Sequence, residues 1–283
     1  MQIFKEIEPL KAFLSRKKAQ QRTIGLVPTM GALHPGHLFL VQTSKAENQI
    51  TVATIYVNPT QFNNHIDLEQ YPRSLKEDIV LLEKGGCDVL FCPDTREMYF
   101  QPSTVKFDFG PLDKILEGEF RPGHFSSVAL VVSKFFNIVQ PDIAYFGQKD
   151  FQQFTIISRL VDELKFGIQL RCIPTLREPD GLAMSSRNLR LNEEERKKAT
   201  ILFKSLSFAN QAFHQGKGLS GVKGDIQRIW EQERNTKLEY FEVADRENLI
   251  LSDRVKSANQ SIMLIAGYVG EVHLIDNMIV GEK

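Results

Sequence analysis

Strand-like and helix-like segments alternate along this chain up to about residue 175, and that alternation limits the fold more than any other feature of the sequence. Apolar, β-branched runs predict strands over 23–27, 50–57, 88–92, 142–146 and 168–173. Helical periodicity predicts helices over 37–47, 75–84, 126–139 and 151–165. Ser74 and Glu77 form an expected capping box for the second of these, and Gly85-Gly86 ends it. A chain of this pattern folds as a parallel sheet with helices on its faces, and its ligand sits beyond the carboxyl ends of the strands. Three loops belong there, following Val27, Val57 and Phe146.

Beyond residue 190 the texture changes. Asn192-Glu193-Glu194-Glu195-Arg196 opens a long helical pattern to about Gln215, and a glycine-rich break over 216–224 follows. A second helix and strands near 240–243, 262–266 and 270–275 then suffice for a small α+β domain. The expected organisation is an α/β, Rossmann-like parallel-sheet domain over 1–176 and a smaller α+β domain over 177–283. The turn-rich Arg177-Glu178-Pro179-Asp180-Gly181 is the expected hinge.

In the first loop, Val27 leads through Pro28-Thr29-Met30-Gly31-Ala32-Leu33 to His34-Pro35-Gly36-His37 at a helix start. Free N–H groups there, with the positive end of the helix dipole, favour phosphate oxygens. Two imidazoles one turn apart can reach the same polyphosphate. The spacing also fits surface or helix-capping histidines, or half of a zinc site. Zinc is disfavoured because Cys87, Cys92 and Cys172 are scattered.

Lys+Arg and Asp+Glu balance at 35 each, so bulk charge marks neither a nucleic-acid nor a membrane surface and the expected partner is small. Three cysteines without a framework fit a reducing compartment. The start of the chain lacks the basic-then-apolar pattern of a signal peptide, and no apolar run approaches a membrane span. A cytoplasmic protein is expected.

The loop after the second strand, Asn58-Pro59-Thr60-Gln61-Phe62, is uncharged. Gln61 can donate and accept toward a hydroxyl or carboxylate, although an Asn-Pro turn alone would explain the segment. Tyr71-Pro72-Arg73 either closes over a pocket or merely enters the next helix. Glu77 and Asp78 are candidate magnesium contacts, with capping sufficient to explain the first and solvent exposure the second. Gly147-Gln148-Lys149-Asp150 repeats the strand-loop-helix geometry, with Lys149 a mobile cation for phosphate and Gln153 one turn along. Met184-Ser185-Ser186-Arg187 offers two hydroxyls and a guanidinium to charge developing on a departing pyrophosphate.

Taken with Arg121-Pro122-Gly123-His124-Phe125, Tyr71-Pro72-Arg73 and Asp180 through Asn188, these segments resemble the pantoate–β-alanine ligases, or pantothenate synthetases, of the nucleotidylyltransferase superfamily. They stand in the family's order over about two-thirds of the chain. The resemblance implies a two-step ligation. ATP and (R)-pantoate form pantoyl adenylate and pyrophosphate, then the amine of β-alanine displaces AMP to give pantothenate, with magnesium accompanying ATP. By position it assigns ATP to Met30, Gly31, Ala32, Leu33, His34, Pro35, Gly36, His37, Gly147, Gln148, Lys149, Asp150, Leu176, Met184, Ser185, Ser186 and Arg187. His37 is the proton donor, and His34, Lys149, Ser185, Ser186 and Arg187 act beside it. Gln61 and Gln153 hold pantoate, Gln61 also borders β-alanine, and no side chain is assigned to metal. A homodimer through the N-terminal domain and a C-terminal domain serving as lid are implied as well.

Thr60 stands where methionine is common in the family, Gln148 where glutamate is, and Glu77 where some members have aspartate. Two other readings use the same residues. A nucleotidylyltransferase acting on a phosphate ester predicts a second basic cluster at the acceptor site. A non-catalytic nucleotide-binding module predicts tolerance of His37→Ala and Lys149→Ala.

Overall fold

The computed structural model describes residues 1–255 and 259–281. The chain forms two compact units, Met1–Gly147 with Ile156–Pro174, and Gln148–Thr155 with Thr175–Lys283.

The first unit is built on six parallel strands, β1 (Gln2–Phe4), β2 (Ile24–Thr29), β3 (Ile50–Ile55), β4 (Val89–Phe91), β5 (Ile143–Gly147) and β6 (Gln169–Ile173), in the order β1-β4-β3-β2-β5-β6. Five of them are the expected strands, within two residues at each end. β1, which pairs with β4 from Gln2↔Val89 to Phe4↔Phe91, is an addition. Three residues of sequence carry too little periodicity to announce a strand. The winding runs from β2 through β3 to β4, then returns to the other side of β2 as β5 and β6. The reversal places a topological switch point between β2 and β5, where open α/β sheets bind ligands.

Helices α1 (Ile7–Ala19), α2 (Pro35–Glu47), α3 (His65–Glu69), α4 (Leu75–Lys84), α5 (Thr95–Met98), α6 (Glu117–Phe120) and α7 (His124–Val139) follow in chain order. Alternation along the strands sends Val27, Ala53, Leu90 and Tyr145 into one buried cluster with Leu40 and Val41 of α2 and Leu82 of α4. One residue along β4, Phe91 meets Phe135 of α7 edge to face, with centroids 6.4 Å apart. Gly147 ends β5 and the chain continues through a 3-10 turn (Gln148–Asp150) into α8 (Phe151–Glu163).

The second unit holds α9 (Glu193–Lys198), α10 (Ile201–His214), α11 (Leu219–Gln232) and an antiparallel sheet β7 (Thr236–Asp245), β8 (Ser261–Val269), β9 (Val272–Ile279), with β8 central. Its core gathers Leu202 and Leu206 of α10, Val222, Ile226 and Trp230 of α11, and Met263 and Ile265 of β8. The Trp230 indole donates to Ser205 Oγ at 3.0 Å, so its one polar atom is satisfied inside the core.

Two expectations change here. The helix expected over 192–215 is interrupted at Ala199-Thr200, where the Thr200 hydroxyl bonds back to Lys197 O at 2.8 Å. The glycine-rich stretch is not a break to residue 224, because α11 runs through Gly221 and Gly224. Burial of Val222, Ile226 and Trp230 on one face outweighs the propensity cost of two glycines, about 1 kcal/mol each.

Candidate active site

The loop between β2 and α2 is a built turn. Gly31 and Ala32 both take positive φ, +85° and +49° respectively. A Cβ at Gly31 would stand 3.1 Å from Asp78 Oδ2 and from Ile55 Cγ2, crowding both, and the positive φ itself favours glycine. Thr29 Oγ1 accepts from Gly31 N at 3.2 Å and donates to Thr54 O at 2.6 Å.

Asp78 corrects the sequence reading. It is buried rather than solvent-exposed, and it accepts from Ala32 N at 3.0 Å through Oδ2 and from Leu33 N at 2.8 Å through Oδ1. The Ser74 hydroxyl joins Oδ1 at 3.2 Å. The Ser74–Glu77 capping box does not form; Ser74 makes no side-chain cap and Glu77 is exposed. A carboxylate buried at the start of α4 has replaced that local arrangement with a long-range one.

The N–H groups expected to be free are not. His34 is the N-cap of α2, and its Nδ1 accepts from Gly36 N at 3.2 Å, while His37 Nδ1 accepts from His34 N at 3.3 Å. His37 N bonds His34 O at 2.9 Å. Pro35 has no N–H to give, so the amides from Ala32 to His37 are spent holding the turn. The capping reading of the two histidines is correct and is compatible with a functional one. The rings lie 4.0 Å apart, centroid to centroid. With Nδ1 an acceptor on each, the neutral ring carries its proton on Nε2, so the imidazoles rather than the amides are the donors this turn can present.

Gln61 sits in a 3-10 helix (Pro59–Gln61) after β3 and is buried. Its Nε2 donates to Met30 Sδ at 3.1 Å, so two separately expected residues meet. Asn58 Nδ2 donates to Gln61 Oε1 at 3.3 Å, and Thr60 Oγ1 donates to Asn58 Oδ1 at 3.0 Å, a bond methionine could not make. His124, buried at the start of α7, donates from Nδ1 to Gln61 O at 2.8 Å. Arg73 turns back to the end of α3, donating to Leu68 O at 3.0 Å, and Tyr71 stacks edge to face on Phe62, so this stretch is tied into the fold as a helix entrance.

Of the remaining assigned residues, Gly147 ends β5 in the first unit and the others belong to the second unit. Asn277 Nδ2 donates to Gln148 O at 2.9 Å and to Lys149 O at 2.8 Å, and Gln148 Nε2 donates to Asn277 Oδ1 at 3.4 Å. Lys149 is half-buried, with Asp150 Oδ1 3.7 Å from its Nζ, and Gln153 is half-buried on α8. The segment expected as a hinge forms a bonded hairpin. Arg177 bridges Ala183, Met184 N bonds Leu176 O at 3.0 Å, and Gly181 N bonds Glu178 O at 2.9 Å. Ser185 caps the 3-10 helix Ser186–Arg190 by accepting from Arg187 N at 3.2 Å, and Ser186 is buried. Arg177 holds Asp276 by two nitrogens at 2.6 and 3.1 Å. Burial pushes the Asp276 carboxyl above the ordinary carboxylate range, against the pull of Arg177 and, more weakly, of Lys149.

The sequence model of pantoate-β-alanine ligase matches residues 2–279. The chain belongs to the pantoate–β-alanine ligase family. It is similar to the pantothenate synthetase of Bacteroides thetaiotaomicron, 44% identical over 98% of each chain, and to that of Caldicellulosiruptor bescii, 41% identical over the whole of both. Among solved structures it resembles pantothenate synthetase from Thermus thermophilus, with a TM-score of 0.92 and 38% identity over 99% of both chains. It also resembles the pantoate-β-alanine ligase of Francisella tularensis complexed with beta-gamma ATP and β-alanine, with a TM-score of 0.84 and 33% identity over 100% of this chain and 99% of that one.

In this family member, sequence reasoning misses the holding roles: it reads Asp78 only as a candidate magnesium contact, His124 only as part of a motif segment, and Asn277 not at all. All three act on backbone groups of distant segments, and no local pattern announces such partners. Asn58 could have been found, since it lies three residues before Gln61 and an Asn side chain at a turn commonly bonds nearby groups.

Proposed function

We propose that the chain condenses (R)-pantoate with β-alanine through a pantoyl adenylate. The pantoate carboxylate attacks the α-phosphorus of ATP and pyrophosphate leaves. The β-alanine amine then attacks the acyl carbon, AMP leaves, and pantothenate results. The observation carrying this reading is the family match across residues 2–279, within which the six motif segments all stand.

Two anions must be brought in line for the first step, so neutralising charge and alignment are the work required. In our reading Met30 through His37, Gly147 through Asp150, Leu176, and Met184 through Arg187 bind ATP. His34 and His37 donate from Nε2 to phosphate oxygens, and Lys149 and Arg187 add fixed positive charge. Gln61 presents its amide to pantoate, aided by Gln153, and borders β-alanine. The uncharged amide of Gln61, held by Asn58 and Met30, favours a carboxylate and hydroxyl acceptor over the phosphate ester of other nucleotidylyltransferases.

Magnesium, in this reading, enters with the triphosphate. The Asp78 carboxylate already receives three protein donors, so it is built into the turn and does not suit a metal ligand. No described helix is long and apolar enough to cross a membrane. Three scattered cysteines, Cys87, Cys92 and Cys172, support a cytoplasmic, reducing setting in this reading. A homodimer is part of the same reading, and sedimentation at several concentrations tests it.

Pantoate-dependent exchange of labelled pyrophosphate into ATP, without β-alanine, is the direct test. Exchange followed by amide formation on adding β-alanine is the expected result, and His37→Ala should slow the exchange about a hundredfold or more if His37 supplies a proton. A folded protein that binds ATP and shows no exchange would overturn the ligase reading.

A further inference from the structure

β9 carries two polar residues in succession inside the core of the second unit, Asp276 and Asn277, each no more than 3% exposed. A buried polar pair in mid-strand is costly unless its hydrogen bonds are made, and apolar residues would serve the packing better. Here they are made, toward two different segments. Asn277 spends its amide group on the carbonyls of Gln148 and Lys149, which flank the ammonium-bearing side chain of the 3-10 turn. Asp276 takes the Arg177 guanidinium, which also donates to Gly181 O at 3.1 Å and to Asn277 O at 3.0 Å and lies 4.8 Å over the Phe203 ring. Arg177 opens the hairpin whose return arm, Ala183 into Met184, runs on to Ser185 and Arg187, and Asn188 Nδ2 ties that arm to Ala183 O at 3.0 Å.

We propose that Asp276 and Asn277 are positioning residues that set the Lys149 turn and the Ser185–Arg187 segment at a fixed separation, so that both meet the phosphates of one nucleotide. They touch no substrate themselves. The proposal rests on the assignment of those two segments to ATP.

The test uses the full-length protein and the variants Asn277→Ala, Asn277→Asp and Arg177→Lys, with steady-state pyrophosphate exchange and amide hydrogen exchange measured on each. Asn277→Ala should cut kcat/KM for ATP about tenfold or more while the KM for pantoate stays within twofold. Its amide exchange should quicken over 148–153, and that of Arg177→Lys over 177–188, with the central strand β8 unchanged in both. A folded Asn277→Ala whose ATP parameters stay within twofold of the parent, or exchange that quickens evenly across β7, β8 and β9, would show a structural role only and overturn the proposal. If Asn277→Ala does not fold, Asn277→Asp is read in its place, since it keeps the volume and sets an acceptor against two carbonyls. If the parent itself shows no pyrophosphate exchange, the ligase reading fails, and the amide-exchange pattern alone decides whether the two segments are held by this pair.

Discussion

Asp78 shows how much one side chain can decide. Its carboxylate converts two backbone N–H groups of a positive-φ turn from stranded donors into satisfied ones, and hydrogen bonds to a charged acceptor are worth about 1.5–3 kcal/mol each. Asp78→Asn keeps the shape but sets an amide NH2 against one of the two N–H groups. We expect the variant to fold with about 2 kcal/mol less stability and to lose at least tenfold in pyrophosphate exchange, read by urea titration and by the exchange assay. Unchanged values of both would remove Asp78 from the account of the turn. In sequence this residue sits among charged neighbours on a helix and reads as solvated. Only the approach of Ala32 and Leu33, 46 and 45 residues away, gives it another role. The capping roles of His34 and His37, by contrast, were legible, because that arrangement acts within one helical turn.

At the level of elements, periodicity located nearly all the long helices and strands because amphipathic burial repeats within each segment. It failed where the deciding contact lay outside the segment. α11 is helical through Gly221 and Gly224 because its apolar face closes the second core, including Trp230. Gly224 is exposed, with open space at its missing Cβ, so Gly224→Ala should stabilise the protein by about 0.5–1 kcal/mol through backbone entropy. Gly181 offers the contrast. It has a φ of +91°, and a Cβ there would collide with the Phe203 ring, so Gly181→Ala should destabilise. Paired thermal melts of the two alanine variants, shifting in opposite directions, check the argument. A fall in both would mean that α11 needs Gly224 for a reason beyond its own backbone.

For the whole molecule, burial couples stability to alkaline pH. Desolvation pushes the Cys87 thiol from its ordinary 9.0 up to about 11, and the Tyr56 phenol from 10.0 up to about 12. In each case the folded state keeps a proton that the unfolded chain releases. Stability is therefore fully present below pH 9 and falls as pH rises from there toward the folded values. At about 1.4 kcal/mol per pH unit, Cys87 alone removes about 2–3 kcal/mol by pH 11. Urea midpoints at pH 8 and pH 11 should show that fall, and Cys87→Ala should flatten it. Equal slopes in the two proteins would sink the assignment to Cys87.

The sequence by itself determined the α/β alternation, the smaller second domain and the family, since each rests on contacts or motifs local to a few residues. The tertiary structure decided the strand order and its switch point between β2 and β5. It also decided the burial of Asp78 and Asp276, the meeting of Met30 with Gln61, and the grip of Asn277 on the Lys149 turn. Those are bonds between groups tens to more than a hundred residues apart. A one-dimensional pattern holds no distance between such groups, and only the packed chain brings a buried donor to its acceptor.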